Sequence, residues 1–215
     1  MKFEDGVKLD FDDVLIKPKR STLATRSGVD IRKKYRYLNC GVQETIVPIV
    51  AANMDTTGSF DMAEALSRHM MQTCLNKHYT KGELVNYFTK QLNTVELVNA
   101  WVTIGMKKNE LHRLKCVREE SGKIHKICID VANGYQKVFV DHVRRVRDQF
   151  PDAVIMAGNV CTPEMVSELL ISGGADIVKV GIGPGSVCAT RKITGCGYPQ
   201  LSAIIECADA AHGIG

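Results

Sequence analysis

Six short apolar segments recur along the chain, each followed by a helical segment, and this alternation restricts the fold more than any other feature. The predicted strands cover residues 46–52, 73–76, 98–104, 126–131, 153–157 and 176–180. The predicted helices cover 60–70, 81–91, 109–120, 136–150, 162–171 and 201–211. The fourth helix is amphipathic, with Val138, Val143, Val146 and Phe150 on its apolar side. Pro151 stops it, and Thr162 and Pro163 suit an N-cap and first helical position for the next. Short apolar strands without clean alternation predict an α/β fold with a parallel sheet covered on both faces. Two architectures meet that description, a doubly wound open sheet and a (β/α)8 barrel. The number of units favours the barrel, with six strand–helix units present where a full barrel needs eight.

Composition narrows the functional classes. The chain has 215 residues, 45% hydrophobic and 24% charged, an ordinary globular balance. No apolar run approaches the length of a membrane span, so no membrane partner is expected. Met1 to Asp5 lead into charge rather than a signal core, which argues against secretion. The net charge of +4 is concentrated in Lys17, Lys19, Arg20, Arg26, Arg32, Lys33, Lys34 and Arg36. Such a run is a solvated face or an attraction for phosphorylated substrates. No groove-reading motif accompanies it, so nucleic acid is not an expected partner. The eight cysteines are irregularly spaced and include no C-x-x-C pair, which does not support a zinc ribbon or a thioredoxin-like site. Reduced thiols in a cytoplasmic protein fit this pattern.

Parallel strands bring their C-terminal ends to one face. Asp130 lies at the end of a predicted strand, and Asn53, Asp55, Lys77, His78, Asn133 and Asn159 fall just beyond predicted strand ends, together with residues 181–191. That last segment reads GIGPGSVCATR. Its glycines allow close backbone approaches, its N–H groups suit a phosphate and its carbonyls suit a hard cation. Ser186 breaks the dinucleotide pattern G-x-G-x-x-G, and no Walker lysine is present. Cys188 is the most informative residue there, because a loop thiolate is a strong nucleophile. Thr190, two residues on, can relay a proton or orient a leaving group, but no base for it stands out. Arg191 can hold a phosphate, brace the loop or pair with an acid. Cys196 reads as a packed or solvent-facing loop cysteine.

At these residues the chain resembles the IMP dehydrogenase/GMP reductase family. The loop GIGPGSVCATRKITGCGYPQ at 181–200 resembles the family's active-site loop. DFDDVLIKPKRS at 10–21, AANMDTTGSF at 51–60, NKHY at 76–79, DVANGY at 130–135 and AGNV at 157–160 match in family order. Lys77-His78-Tyr79, residues 130–135 and Gly197-Tyr198-Pro199-Gln200 are closer to the reductase branch. There is also no room for the CBS pair that most of the dehydrogenases insert. The resemblance implies one partial barrel domain over 1–215, an incomplete TIM barrel. It covers roughly the first three-fifths of a complete reductase, so later phosphate-binding and catalytic segments are expected to be missing, with the glutamate that pairs with Thr190. Ala189 stands where the family often has threonine.

The implied chemistry is NADPH-dependent reductive deamination of GMP to IMP and ammonia through a thioimidate on Cys188, with Thr190 assisting the departure of ammonia. Thr25, Arg26, Lys77, Asp130, Val131, Ala132, Ile182 and Gly183 match cofactor-side positions. Gly183, Gly185, Cys188 and Arg191 match positions around a potassium ion, with backbone carbonyls as its natural ligands. The resemblance also implies a homotetramer. Two other readings stay open: IMP dehydrogenation with NAD at the same cysteine, and a noncatalytic nucleotide-binding or assembly fragment.

Overall fold

A computed structural model describes residues 5–90, 99–122 and 124–215. Residues 1–4, Gln91 at the end of the second predicted helix and Val98 at the start of the third predicted strand lie outside the described residues. Two strands, β1 (Lys33–Arg36) and β2 (Gln43–Ile46), form an antiparallel hairpin. The main sheet contains β3 (Val50–Ala51), β4 (Gln72–Cys74), β5 (Ala100–Ile104), β6 (Lys126–Asp130), β7 (Val154–Val160) and β8 (Ile177–Val180). All its neighbours pair in parallel and in chain order, β3 through β8. A doubly wound sheet reverses its strand order part-way. This one never does, so the architecture is the incomplete (β/α)8 barrel.

Helices α1 (Phe60–Ser67), α2 (Lys81–Lys90), α3 (Lys108–Ser121), α4 (Lys137–Gln149) and α5 (Pro163–Ser167) provide the crossovers between successive sheet strands. A short α6 (Thr190–Thr194) and a longer α7 (Gln200–Ile214) follow β8. Side chains alternate along each strand, but both faces are apolar. Trp101, Cys128, Val154 and Met156 pack to one side with Tyr37 of the hairpin. Their neighbours Val102, Ile127, Ile129 and Ile155 pack to the other with Leu114, Phe139, Val143 and Leu169. Burial on both faces explains the unbroken apolar runs in the sequence.

Several predicted boundaries change. The first predicted strand, 46–52, is two pieces. Ile46 ends β2 of the hairpin, and only Val50–Ala51 joins the main sheet. Pro48 separates them, because it has no N–H to give a ladder. The predicted helix 162–171 is α-helical only to Ser167, then continues as a π turn at Glu168–Ser172. Thr162 precedes Pro163 as expected, but its hydroxyl makes no cap bond and meets Tyr135 Oη at 3.2 Å. The predicted long loop after β8 contains α6, and the hairpin itself went unpredicted.

The hairpin sits at the N-terminal ends of the strands. Lys126, the first residue of β6, donates to Glu44 on β2 and is 1% exposed. Tyr37 also donates to Glu44, as does Gln72 Nε2 at 3.2 Å, and Gln72 Oε1 accepts from Trp101 Nε1 at 2.8 Å. Burial pulls the Lys126 ammonium down from its ordinary value, against the opposing pull of Glu44. A second anchor is Asp176. Its side chain is fully buried and accepts from Arg147, from the Ile155 N–H at 2.9 Å, and from the Asn39 and Cys40 N–H groups at 3.0 and 3.1 Å. One carboxylate thereby joins the hairpin turn, α4 and β7.

Asp176→Ala leaves Arg147 and three backbone donors without their shared acceptor. It is expected to destabilise the fold by about 3–5 kcal/mol, the range for breaking a buried ion pair, read as the shift in urea midpoint. His142 on α4 gives a pH dependence. It is 4% exposed, and burial, then Arg145, holds its imidazole below the ordinary value of 6.5. The folded state therefore binds fewer protons than the unfolded one below about pH 6.5. Stability is full above that pH and falls as acid is added. His142→Leu is expected to flatten that part of the stability profile, and an unchanged slope would exclude His142 as its source.

Candidate active site

The loops after the strands emerge at the opposite rim from the hairpin. Lys179 of β8 donates to Asp130, the last residue of β6, and to Asn53 Oδ1 after β3 at 3.2 Å. The side chains of Lys179 and Asp130 are 23% and 25% exposed. Burial works to lower the Lys179 pKa, but neighbouring thiol and carboxylate groups outweigh it and the net shift is upward. The ammonium therefore remains protonated at neutral pH. This cluster fixes the carboxylate of Asp130 at the rim and ties together three strands that are not neighbours in the sheet.

The other polar residues predicted at this rim divide. Asp55 and His78 approach to 3.5 Å, both exposed. Asn133 Oδ1 accepts from the Tyr135 N–H at 2.9 Å and shapes a turn. Val131 exchanges backbone bonds with Gly158 and Asn159 at 2.9 and 3.0 Å, and Asn159 Oδ1 is buried without a protein partner. Ala132 and Lys77 are exposed after β6 and β4. Thr25 and Arg26 lie in the N-terminal segment, in a 3-10 turn whose bonds are local: the Thr25 hydroxyl meets Ser27 Oγ at 2.8 Å, and the Val29 N–H donates to the Arg26 carbonyl at 3.1 Å.

Ile182, Gly183, Gly185, Cys188, Thr190 and Arg191 come together in the loop after β8. The Cys188 N–H donates to the Gly185 carbonyl at 2.9 Å, closing a tight turn. Cys188 Sγ then lies 3.3 Å from Thr190 Oγ1. The Thr190 hydroxyl, next the Thr190 N–H, and more weakly Arg191 hold the thiol below its ordinary pKa. A lowered pKa on a part-exposed loop cysteine is the condition for a thiolate nucleophile. Arg191 braces the loop. Its Nε donates to the Ile182 carbonyl at 3.1 Å, one terminal nitrogen to the Tyr198 carbonyl, and the other to Asp10 Oδ2 at 3.0 Å. Two glycines make room for that side chain. A Cβ on Gly183 (φ +63°) would lie 3.0 Å from Arg191 Cγ, and one on Gly197 would lie 2.7 Å from it.

The four positions expected around potassium offer carbonyl oxygens, the donor type a hard cation takes. Those of Gly185 and Arg191 already accept backbone N–H groups at 2.9 and 3.1 Å. A carbonyl keeps a second lone pair for an ion. Among the described residues no three His, Cys, Asp or Glu side chains are grouped as metal ligands. All eight cysteines are free, four of them buried, and Cys196 is exposed. Lys179, Asp10 and Gln200 were not anticipated from sequence. For Lys179 a signal existed: it is the lone charge in the apolar run Ile177-Val178-Lys179-Val180.

Barrel enzymes carry their active sites at the C-terminal rim of the strands, and here that rim bears a braced, thiol-bearing loop. The family model for the IMP dehydrogenase / GMP reductase domain matches residues 8–215, and the chain belongs to that family. A GMP reductase from Vibrio cholerae is 52% identical over 215 residues, covering 100% of this chain and 61% of that protein. A GMP reductase from Phytophthora infestans is 52% identical over 213 residues, covering 99% and 58%. The crystal structure of inosine 5' monophosphate dehydrogenase from Legionella pneumophila superposes with a TM-score of 0.80 at 32% identity, over 95% of this chain and 60% of that one. The chain thus spans about three-fifths of the length of the curated relatives it matches. No helix among the described residues is long and apolar enough to cross a membrane.

Thr190→Val removes the hydroxyl beside the sulfur and keeps the bulk. The pH midpoint of Cys188 alkylation by iodoacetamide is expected to move upward. Mass spectrometry of the Cys188 peptide reads it, and an unchanged midpoint would show that the hydroxyl does not tune this thiol.

Proposed function

We propose that this chain supplies the nucleophile-bearing part of a GMP reductase, which converts GMP to IMP and ammonia with NADPH. The observation that carries the reading is the Cys188 sulfur set 3.3 Å from the Thr190 hydroxyl on a braced rim loop. The relatives' names agree with it.

In this reading the Cys188 thiolate adds to C2 of the guanine ring. The exocyclic amine takes up a proton and leaves as ammonia, and the electron pair of the broken C–N bond goes with it. The product is a thioimidate with sulfur bonded to C2. Thr190 handles the proton at the departing nitrogen. It works with a base that its own hydroxyl cannot replace, since an unassisted hydroxyl is a weak acid and a weak base. Bound reduced nicotinamide supplies the hydride for C2. As the C2–S bond breaks, its electrons return to sulfur, the thiolate is regenerated and IMP is released.

The remaining residues bind and orient. Asp130, fixed by Lys179, offers a carboxylate to hydroxyl groups of the dinucleotide, and Val131 and Ala132 line the same strand end. Lys77 offers an exposed cation. Ile182 and Gly183 contact the cofactor, and Thr25 and Arg26 contact the nicotinamide nucleotide. The carbonyls of Gly183, Gly185, Cys188 and Arg191 hold potassium. A homotetramer in the cytoplasm completes the proposal.

In a protein of the relatives' full length carrying this sequence, Cys188→Ser is expected to abolish the GMP adduct seen by intact mass. It should also lower GMP-dependent NADPH oxidation on the order of a thousandfold or more. Wild-type turnover in that variant would remove Cys188 from the chemistry. IMP-dependent NADH formation, without NADPH oxidation on GMP, would assign the dehydrogenase reaction instead.

A further inference from the structure

The loop that carries Cys188 is held from the far end of the chain, and we infer that Asp10 is the positioning residue that sets it, acting through Arg191 and Gln200. Residues 8–10 lie along α7. The Leu9 N–H donates to Ser202 Oγ at 2.8 Å, the Ser202 N–H returns a bond to the Leu9 carbonyl at 3.1 Å, and Lys8 Nζ meets Glu206 Oε1 at 2.6 Å. This strap delivers the Asp10 carboxylate to the base of the loop. Its Oδ1 accepts the Gln200 N–H at 2.8 Å, at the first residue of α7, and its Oδ2 accepts Arg191 Nη1 at 3.0 Å.

Each partner passes the constraint on. Arg191 spans both limbs of the loop, donating to the Ile182 carbonyl on the way in and the Tyr198 carbonyl on the way out. Gln200 Nε2 donates to the Val180 carbonyl at 2.9 Å, where β8 ends and the loop starts. Cys188 and Thr190 lie between these fixed points. An isolated surface ion pair contributes little stability, and Asp10 and Arg191 are 39% and 27% exposed. The value of the contact is geometric. A guanidinium is a planar fork with fixed donor directions, and a carboxylate on one prong selects the orientation in which the others reach both carbonyls. The Gln200 N–H first, with Arg191, keeps the Asp10 carboxyl below its ordinary pKa, so the charge is present at neutral pH. Gly183 and Gly197 leave space for Arg191 in this one pose, as the contacts of a built Cβ show.

The inference rests on Cys188 being the reactive thiol proposed above, but its test needs no substrate. In the 215-residue chain, hydrogen exchange is read by mass spectrometry for wild type, Asp10→Ala and Asp10→Glu. Asp10→Ala is expected to speed exchange across 185–195 on the order of tenfold, with β6 and β7 unchanged and buried Cys128 and Cys207 still protected from iodoacetamide. Asp10→Glu, which keeps the carboxylate, should restore most of the protection. Wild-type exchange across the loop in Asp10→Ala overturns the inference, and so does a failure of Asp10→Glu to recover protection. If Asp10→Ala exposes Cys128, and so has unfolded, Arg191→Lys is read instead. It keeps the charge but cannot reach three acceptors, so the same loosening is expected and an unchanged loop overturns the inference. A loop that responds as stated, in a longer protein whose Cys188 forms no adduct with GMP, leaves the positioning role standing and removes the reductase reading.

Discussion

Parallel pairing in strict chain order separates the two ends of this molecule chemically. Every strand starts at one rim and finishes at the other, so a strand's first and last residues face different tasks. Lys126 and Asp130 bound the same strand, β6. At the rise of a parallel strand they stand roughly 13 Å apart. Each has an oppositely charged partner, and the two pairs differ in burial. Lys126 and Glu44 are 1% and 11% exposed, while Lys179 and Asp130 remain near one-quarter exposed. The first pair must recover its desolvation cost through added bonds, which Tyr37 and Gln72 supply to Glu44. The second pair keeps access to solvent, and hence to a ligand.

The cysteines show the same sorting by environment. Burial pushes the thiols of Cys40 and Cys161 up, and that of Cys207 to about 11. These sulfurs act as small apolar groups that hold their protons. Cys188 lies beside the Thr190 hydroxyl and N–H, with the charge of Arg191 acting more weakly, and its pKa moves the other way. Cysteine count says nothing about reactivity here. The donor groups around each sulfur decide it, and the turn from Gly185 to Thr190 brings those donors to Cys188.

The repeating units were legible in the sequence because both faces of the sheet are buried, which writes each strand as an apolar run. The order of the strands was not, since periodicity carries no record of which strands pair. The hairpin escaped for a related reason. Lys33, Lys34 and Arg36 read as surface charge, yet Tyr35 and Tyr37 alternate with them and turn toward the sheet. Within the site, Cys188 and Thr190 could be named from a local motif. Asp10 and Lys179 could not be placed, because their partners are 181 and 49 residues away. Only the folded chain makes these pairs neighbours.

Cavity size and chemistry point to different parts of the molecule. A cavity of ≈ 610 Å³ lies between the sheet's two edge strands, lined by Val50 of β3, Val178 and Val180 of β8, Met156, and Ile204 and Cys207 of α7. Its walls are mainly aliphatic, and it opens where a six-stranded sheet has edges that a closed barrel lacks. Such a space offers contact area but few directed bonds. The Cys188 loop instead carries a thiol of lowered pKa beside the Thr190 hydroxyl, on a backbone braced by Arg191. An apolar hollow binds whatever fits it, whereas a covalent step needs a fixed nucleophile and a handled proton. The directed polar contacts of this rim therefore gather in the Cys188 loop, whereas the hollow beside β3 and β8 is walled mainly by apolar side chains.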